Sequence, residues 1–174
     1  RGLILAAGPS GSGVTTTLYA VLNELKTPSR NILTIENSVE CRIEGINQVR
    51  VKPEAGLTFA GGIRYFFNQD ADIMMAGEIG DSETAEACMR AALSGRLVLS
   101  AVRADNAAAA AARLIEFGCE PFLIASSVVM ITAQRLVRRL CPFCKKAYFT
   151  GPQTQKKYGL TKPETENPKQ VIVY

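Results

Sequence analysis

The chain has 174 residues, a net charge of +4, 47% hydrophobic and 21% charged side chains, and no histidine. That length suits one domain with a sizeable core, the composition is that of an ordinary globular protein, and the charge is too small to imply a nucleic-acid partner by itself. The missing histidine excludes histidine-based catalysis and histidine metal ligation within these residues.

The chain opens at 1-RGLILAAG-8, already inside a strand pattern, and closes on the strand-like 171-VIVY-174, so it reads as a piece of something longer. Nothing resembles a signal peptide. The apolar run predicts a strand over 2–7, followed by a glycine-rich turn and a helix over 14–26. A strand follows at 31–36. A weaker strand signal, 48-QVRV-51, pairs naturally with 40-ECRI-43 as a hairpin. A helix is predicted over 59–68 with Thr58 as its N-cap, then a strand over 72–77. Ser82 is the expected N-cap of a helix over 83–94, without a capping box because Ala85 stands three residues on. A strand over 97–102 leads to a helix over 106–117, whose run 107-AAAAAA-112 suits tight packing. The apolar run 121-PFLIASSVVMITA-133 is too short to span a bilayer and predicts a buried helix over 121–136. Beyond Tyr148 the stretch 150–170 is polar and rich in Pro, Lys and Thr, which predicts a flexible surface segment. Strands alternating with helices predict an α/β fold, a parallel sheet covered by helices.

Chemistry concentrates in 8-GPSGSGVTTT-17. It has the glycines of the phosphate loop G-x-x-x-x-G-K-[ST] at Gly8 and Gly13, and Thr15 stands where the magnesium-binding hydroxyl belongs. Glycines let successive N–H groups turn inward and cradle phosphate at a helix N-terminus. Gly8, Pro9, Ser10, Gly11, Ser12, Gly13, Val14, Thr15 and Thr16 are the candidate nucleotide-binding residues. Val14 occupies the lysine position, so the point charge at the β- and γ-phosphates is missing. Taken alone, the motif leaves open a Gly-rich strand-to-helix turn that binds nothing.

The stretch 70-DADIMMAGE-78 is an apolar strand with acids at both ends. Asp72 is the candidate magnesium ligand, with Thr15, and Glu78 the candidate for polarising a water. Glu36 closes 32-ILTIE-36, at the kind of strand end where open α/β sheets bind ligands. Each acid taken singly is as readily a solvated strand end.

Together the segments 2-GLILAAGPSGSG-13, 31-NILTIENSVE-40, 42-RIEGINQV-49, 55-AGLTFAGGIR-64, 72-DIMMAGEI-79, 84-TAEACMRAALSGRLVLS-100, 120-EPFLIASS-127 and 134-QRLVRRLC-141 resemble the ATPases of type II secretion and type IV pilus assembly, from about residue 1 to Tyr148. The resemblance implies a RecA-like P-loop domain, mostly parallel sheet flanked by helices, over residues 1–148. Residues 149–174 would be a flexible polar segment of an interrupted zinc-binding subdomain. It also implies ATP or ADP with Mg2+, a ring of six subunits of one or two kinds, secretion or pilus platform proteins as partners, and a cytoplasmic site at the inner membrane. No nucleic-acid partner is implied. Glu78 and Glu36 take the family's catalytic positions, and Arg64 matches a basic residue after L-T-F-A. The family's lysine falls on Val14, its Asp-box aspartate and proline on Asn37 and Ser38, its arginine after G-E-I on Gly80, two further arginines on Gly61 and Asn68, and its two histidines on Arg96 and Arg103. The apolar pattern is intact while the site is altered, which predicts a folded domain with hydrolysis and nucleotide binding weakened or lost. An active ATPase borrowing a cation from Arg64, Arg96, Arg103 or a neighbouring subunit is the alternative.

Five cysteines without a disulfide-like framework favour a reducing compartment. Cys141 and Cys144 have the spacing of half a zinc site and need two further ligands. They read either as that half-site, with partners beyond the chain end, or as two reduced thiols in a turn. The basic run Arg135, Arg138, Arg139, Lys145 and Lys146 lacks interleaved aromatics and reads as a solvated face or subunit contact.

Overall fold

A computed structural model describes residues 1–146, 148–149, 153, 157 and 172–173. The chain divides into two compact units, Arg1–Leu136 and Val137–Tyr174, where the sequence placed the division after residue 148.

In the first unit the elements run β1 (Gly2–Ala7), α1 (Val14–Leu25), β2 (Ile32–Glu36), β3 (Asn47–Arg50), α2 (Phe59–Asn68), β4 (Ile73–Ala76), α3 (Ser82–Leu93), β5 (Leu97–Val102), α4 (Ala107–Glu116), α5 (Pro121–Ser127) and β6 (Val128–Ala133). The six strands form one sheet in the order β3-β2-β4-β5-β1-β6, every pair parallel. One face packs Leu3, Leu5, Leu33, Ile35, Met74 and Val98 against α2, α3 and α4. The other packs Ala6, Ile32, Ile73, Met75 and Leu99 against Leu18 and Leu22 of α1. Both faces are covered, so the strands read as near-continuous apolar runs rather than alternating ones.

The termini of the helices differ in a way that matters for the site. Thr58 caps α2 through Gly61 N, Asp81 caps α3 through Thr84 N, and Asn106 caps α4 through Ala109 N. The N-cap of α1 is Gly13, with φ of 80° and no side-chain cap. Glycine in place of a capping side chain costs only a few tenths of a kcal/mol. Burial of Leu18 and Leu22 supplies roughly 1.5–3 kcal/mol each, which outweighs it. Packing thus holds α1 while its first N–H groups stay open to an anion.

Three local expectations are corrected. Residues 40–43 form no strand, and β3 pairs parallel with β2, Leu33 opposite Asn47. The connecting loop is held instead by Gln48, whose side chain accepts from Ile43 N at 2.7 Å and donates to Cys41 O at 3.0 Å. The helix expected over 121–136 stops at Ser127, and 128-VVMITA-133 becomes β6 beside β1. Its β-branched Val128, Val129, Ile131 and Thr132 favour a strand, and β1 offers an open edge for pairing. Asp81, rather than Ser82, caps α3, its Oδ1 accepting from Thr84 N at 2.7 Å. Thr58 caps α2 as expected.

In the second unit, 141-CPFC-144 forms a turn in which Lys145 N donates to Cys141 O at 3.0 Å. β7 (Tyr148–Phe149) pairs antiparallel with β8 (Ile172–Val173). The segment expected to be flexible, 149–174, lies otherwise outside the described residues, Gln153 and Lys157 excepted. Among the described residues no helix is long and apolar enough to cross a membrane.

Candidate functional site

Parallel strands share one direction, so every residue just after a strand lies at the same edge of the sheet. The loop after β1, the residues after β2 and β4, and Arg103 after β5 meet there around a cleft of 160 Å³. Gly8, Pro9, Ser10, Val14 and Thr15 form one wall. Glu36, Asn37, Glu78 and Arg103 contribute to the other.

The loop is tightly built. A Cβ on Gly8 would lie 2.3 Å from Ser12 Oγ and 2.8 Å from Gln134 O, so only glycine fits. Ser12 N donates to Pro9 O at 3.1 Å, closing the turn. Ser12 Oγ is buried without a hydrogen-bond partner among the described residues. An orphaned buried hydroxyl beside an uncapped helix N-terminus fits a phosphate group, whose oxygens would satisfy both. Thr15 lines the cleft, half-buried, while Thr16 is exposed. Val14 also lines the cleft and packs against the α1 face of the core.

Glu78 follows β4 and both its oxygens are engaged. Asn37 Nδ2 donates to Oε1 at 2.7 Å, and Arg103 Nε donates to Oε2 at 3.3 Å. Glu36 is 3% exposed and carries a denser network. Thr34 Oγ1 donates to its Oε1 at 2.5 Å, Gln48 Nε2 to the same oxygen at 3.3 Å, and the Tyr19 hydroxyl to Oε2. Burial first, and then this bond to Glu36, push the Tyr19 hydroxyl up to about 12.

Sequence reasoning overlooked two contributors. Gln134, just after β6, donates from Nε2 to Ser12 O at 2.8 Å and accepts from Thr17 Oγ1 at 2.9 Å, bracing the loop against α1. Its backbone N–H donates to Ala7 O at 2.9 Å. Reading 128–133 as helix hid this, because a strand there ends beside the loop. Tyr19 lies on α1 four residues past Thr15, one helical turn from the cleft, and that spacing was a usable signal.

Other candidates lie elsewhere. Asp72 precedes β4 and so stands at the opposite edge of the sheet, four strand residues or about 13 Å from the Glu78 end. Its Oδ2 accepts from Asn31 N at 2.8 Å, so a magnesium ion at Thr15 is beyond its reach. Arg64 on α2 pairs with Glu83 at 2.8 Å, away from the cleft. Arg96 pairs with Asp70 at 3.2 Å and covers the Phe67 ring, at the Asp72 edge. The cleft's own candidate donors to a magnesium ion are Thr15 and the Glu78 carboxylate.

Cys141 and Cys144 are exposed free thiols. Backbone N–H groups of Phe143 and Cys144, and then the Cys144 thiol, hold the Cys141 thiol below its ordinary value. Among the described residues no three Cys, Asp or Glu side chains group to hold a metal, so a four-ligand zinc site does not fit them. Cys88 is fully buried, which pushes its thiol up to about 12.

A parallel six-stranded sheet with a glycine loop between β1 and an uncapped α1, and an acid two strands away after β4, defines a RecA-like α/β domain of the phosphate-loop class. Residues 1–170 match the family described as type II/IV secretion system protein, and the chain belongs to it. It is 48% identical over 164 residues to the type II secretion system ATPase E of Vibrio cholerae, covering 94% of this chain and 33% of that protein. It is 46% identical over 165 residues to the type IV pilus assembly ATPase PilB of Thermus thermophilus, covering 95% of this chain and 19% of that protein. The chain therefore spans a third or less of these two relatives. A crystal structure of the pilus retraction motor PilT with bound ADP superposes with a TM-score of 0.72 at 30% identity, over 81% of this chain and 44% of that one.

Proposed function

We propose that this chain is motor-domain sequence of a secretion or pilus-assembly ATPase, holding adenine nucleotide on its phosphate loop with hydrolysis impaired. It would serve as a nucleotide-sensing or structural subunit of a homo- or hetero-hexameric ring, on the cytoplasmic face of the inner membrane against platform proteins. The observation that carries this reading is Val14, an apolar side chain lining the cleft where the lysine's charge belongs. Loss of one preorganised donor to a transition state typically lowers rate by roughly 10²–10³, and loss of a full charge at least as much. The backbone cradle around Gly8, Gly11 and Gly13 depends on no lysine, so ground-state phosphate contacts persist. Magnesium bound with the nucleotide supplies charge neutralisation at the phosphates, with Thr15 and Glu78 as the residues to hold it. Asn37 and Arg103 orient Glu78 through both of its oxygens.

A second reading, an active ATPase with a substitute cation, has support from Arg103, which lines the same cleft as the loop. Arg64 and Arg96 do not line it. Calorimetry with ATP and ADP plus magnesium on the parent and on Val14→Lys tests the first reading. Binding by both, with parent turnover at buffer background, is the expected result. Parent turnover well above background, abolished by Glu78→Gln and by Arg103→Gln, would establish the second reading instead.

A further inference from the structure

Behind Glu78, a second cavity of 260 Å³ is lined by Glu78, Ile79, Gly80, Arg103, Arg113 and Phe117. Two guanidinium groups reach it from different elements, Arg103 from the end of β5 and Arg113 from α4. Among the described residues Arg103 is paired through Nε, to Glu78, and its two Nη groups have no partner there. Arg113 donates from Nη1 to Glu116 at 2.7 Å, and among the described residues its Nη2 and Nε have no hydrogen-bond partner. Its guanidinium lies over the Phe117 ring, 5.2 Å from the centroid, which holds the plane of the fork in place. The Glu78 carboxylate, the cavity's own negative group, has both oxygens already hydrogen-bonded. Gly80 also lines the cavity, and nothing lies within 4 Å of a Cβ built there.

We infer that this cavity is a second oxyanion site, built to take a phosphate group between Arg103 and Arg113. Planar guanidinium forks with unused N–H groups match the geometry of phosphate oxygens, and two such forks lining one cavity favour a doubly charged tetrahedral anion over chloride. Arg103 also lines the phosphate-loop cleft, so an anion bound here draws on the same guanidinium that pairs with Glu78. The inference goes beyond the reading of impaired hydrolysis and holds whether or not ATP is turned over.

Inorganic phosphate titrated into the 15N-labelled chain at constant ionic strength tests it, with backbone amide resonances as the readout. Saturable shifts at Ile79, Gly80 and Phe117, following a different isotherm from Gly11 and Gly13, are the expected result. Arg113→Gln should weaken this isotherm about tenfold and leave that of the loop glycines unchanged. Gly80→Glu, which adds a carboxylate to the cavity while leaving both arginines unsubstituted, should abolish it. AMP distinguishes the source of the phosphate group. Shifts at the same amides assign the site to the phosphate end of a larger ligand, and silence with AMP assigns it to free phosphate. Shifts confined to the phosphate loop, equal shifts with chloride, or an unchanged isotherm in both variants would overturn the inference.

Discussion

At the edge of the sheet where β1, β2 and β4 end, Glu36 accepts from Thr34, Gln48 and Tyr19, and Glu78 accepts from Asn37 and Arg103. At the opposite edge Asp70 faces Arg96 at 3.2 Å with its side chain 98% exposed, and Asp72 accepts a backbone N–H from Asn31. Both edges line clefts containing acids and arginines. The differences lie in the backbone and in burial. Only the first edge has a glycine loop entering an uncapped helix, so only there do N–H groups converge on open space. The carboxylates there are also more shielded, Glu36 buried and Glu78 half-buried, whereas Asp70 and Asp72 are exposed. Exposed pairs such as Asp70–Arg96 contribute about 0–1 kcal/mol and position nothing. The composition of an edge thus says less than the direction of the strands that reach it.

Substitutions can break this contrast, starting with the largest expected effect. Gly8→Ala forces a methyl against Ser12 Oγ and Gln134 O. It should destabilise the first unit by about 1–3 kcal/mol and reduce ATP binding below detection in calorimetry. Glu36→Gln replaces one of the two accepting oxygens with an NH2 donor, so either the Tyr19 or the Thr34 hydroxyl loses its acceptor, and a urea melt should register a loss of roughly 1–2 kcal/mol. Gln134→Ala removes two side-chain bonds to the loop and α1. A loss of about 1 kcal/mol is expected, together with weaker nucleotide affinity in calorimetry.

The alkaline limb of stability sharpens the comparison further. The Tyr19 hydroxyl is raised from 10.0 to about 12 in the folded chain, so the folded state holds its proton more tightly than the unfolded state. Its contribution is fully present below pH 10 and is lost as pH rises toward 12. Thermal denaturation between pH 9 and 12 should show this decline in the parent and a shallower one in Tyr19→Phe. The smallest effect belongs to the far edge. Asp72→Asn should change stability by under about 0.5 kcal/mol and leave nucleotide binding with magnesium unaltered. A large loss of magnesium-dependent binding in that variant would return Asp72 to the site.

Much of the site was legible because a phosphate loop is a local object. The glycine spacing, the preceding strand and the following helix lie within residues 2–25, and backbone geometry there follows from neighbouring residues alone. Glu78 and Glu36 were legible for a related reason, since each closes a short apolar run. Asp72 was misplaced because a strand has two ends, and which end faces the loop depends on the parallel pairing of β4 with β2 and β5. The stretch 128–133 was misread because a short apolar run is equally a buried helix or a buried strand until a neighbour with an open edge decides.

The sequence by itself determined the alternation of strand and helix, the phosphate loop, the absent lysine charge and the acids at strand ends, since these follow from residue type and short spacing. Only the tertiary structure decided that Arg103, and neither Arg64 nor Arg96, enters the cleft with Glu78. It alone brought Gln134 to the loop across 122 positions of sequence and set Arg113 beside Arg103 behind the site. Such meetings depend on strand order and direction, which arise from packing both sheet faces at once and leave no signature in any short stretch of chain.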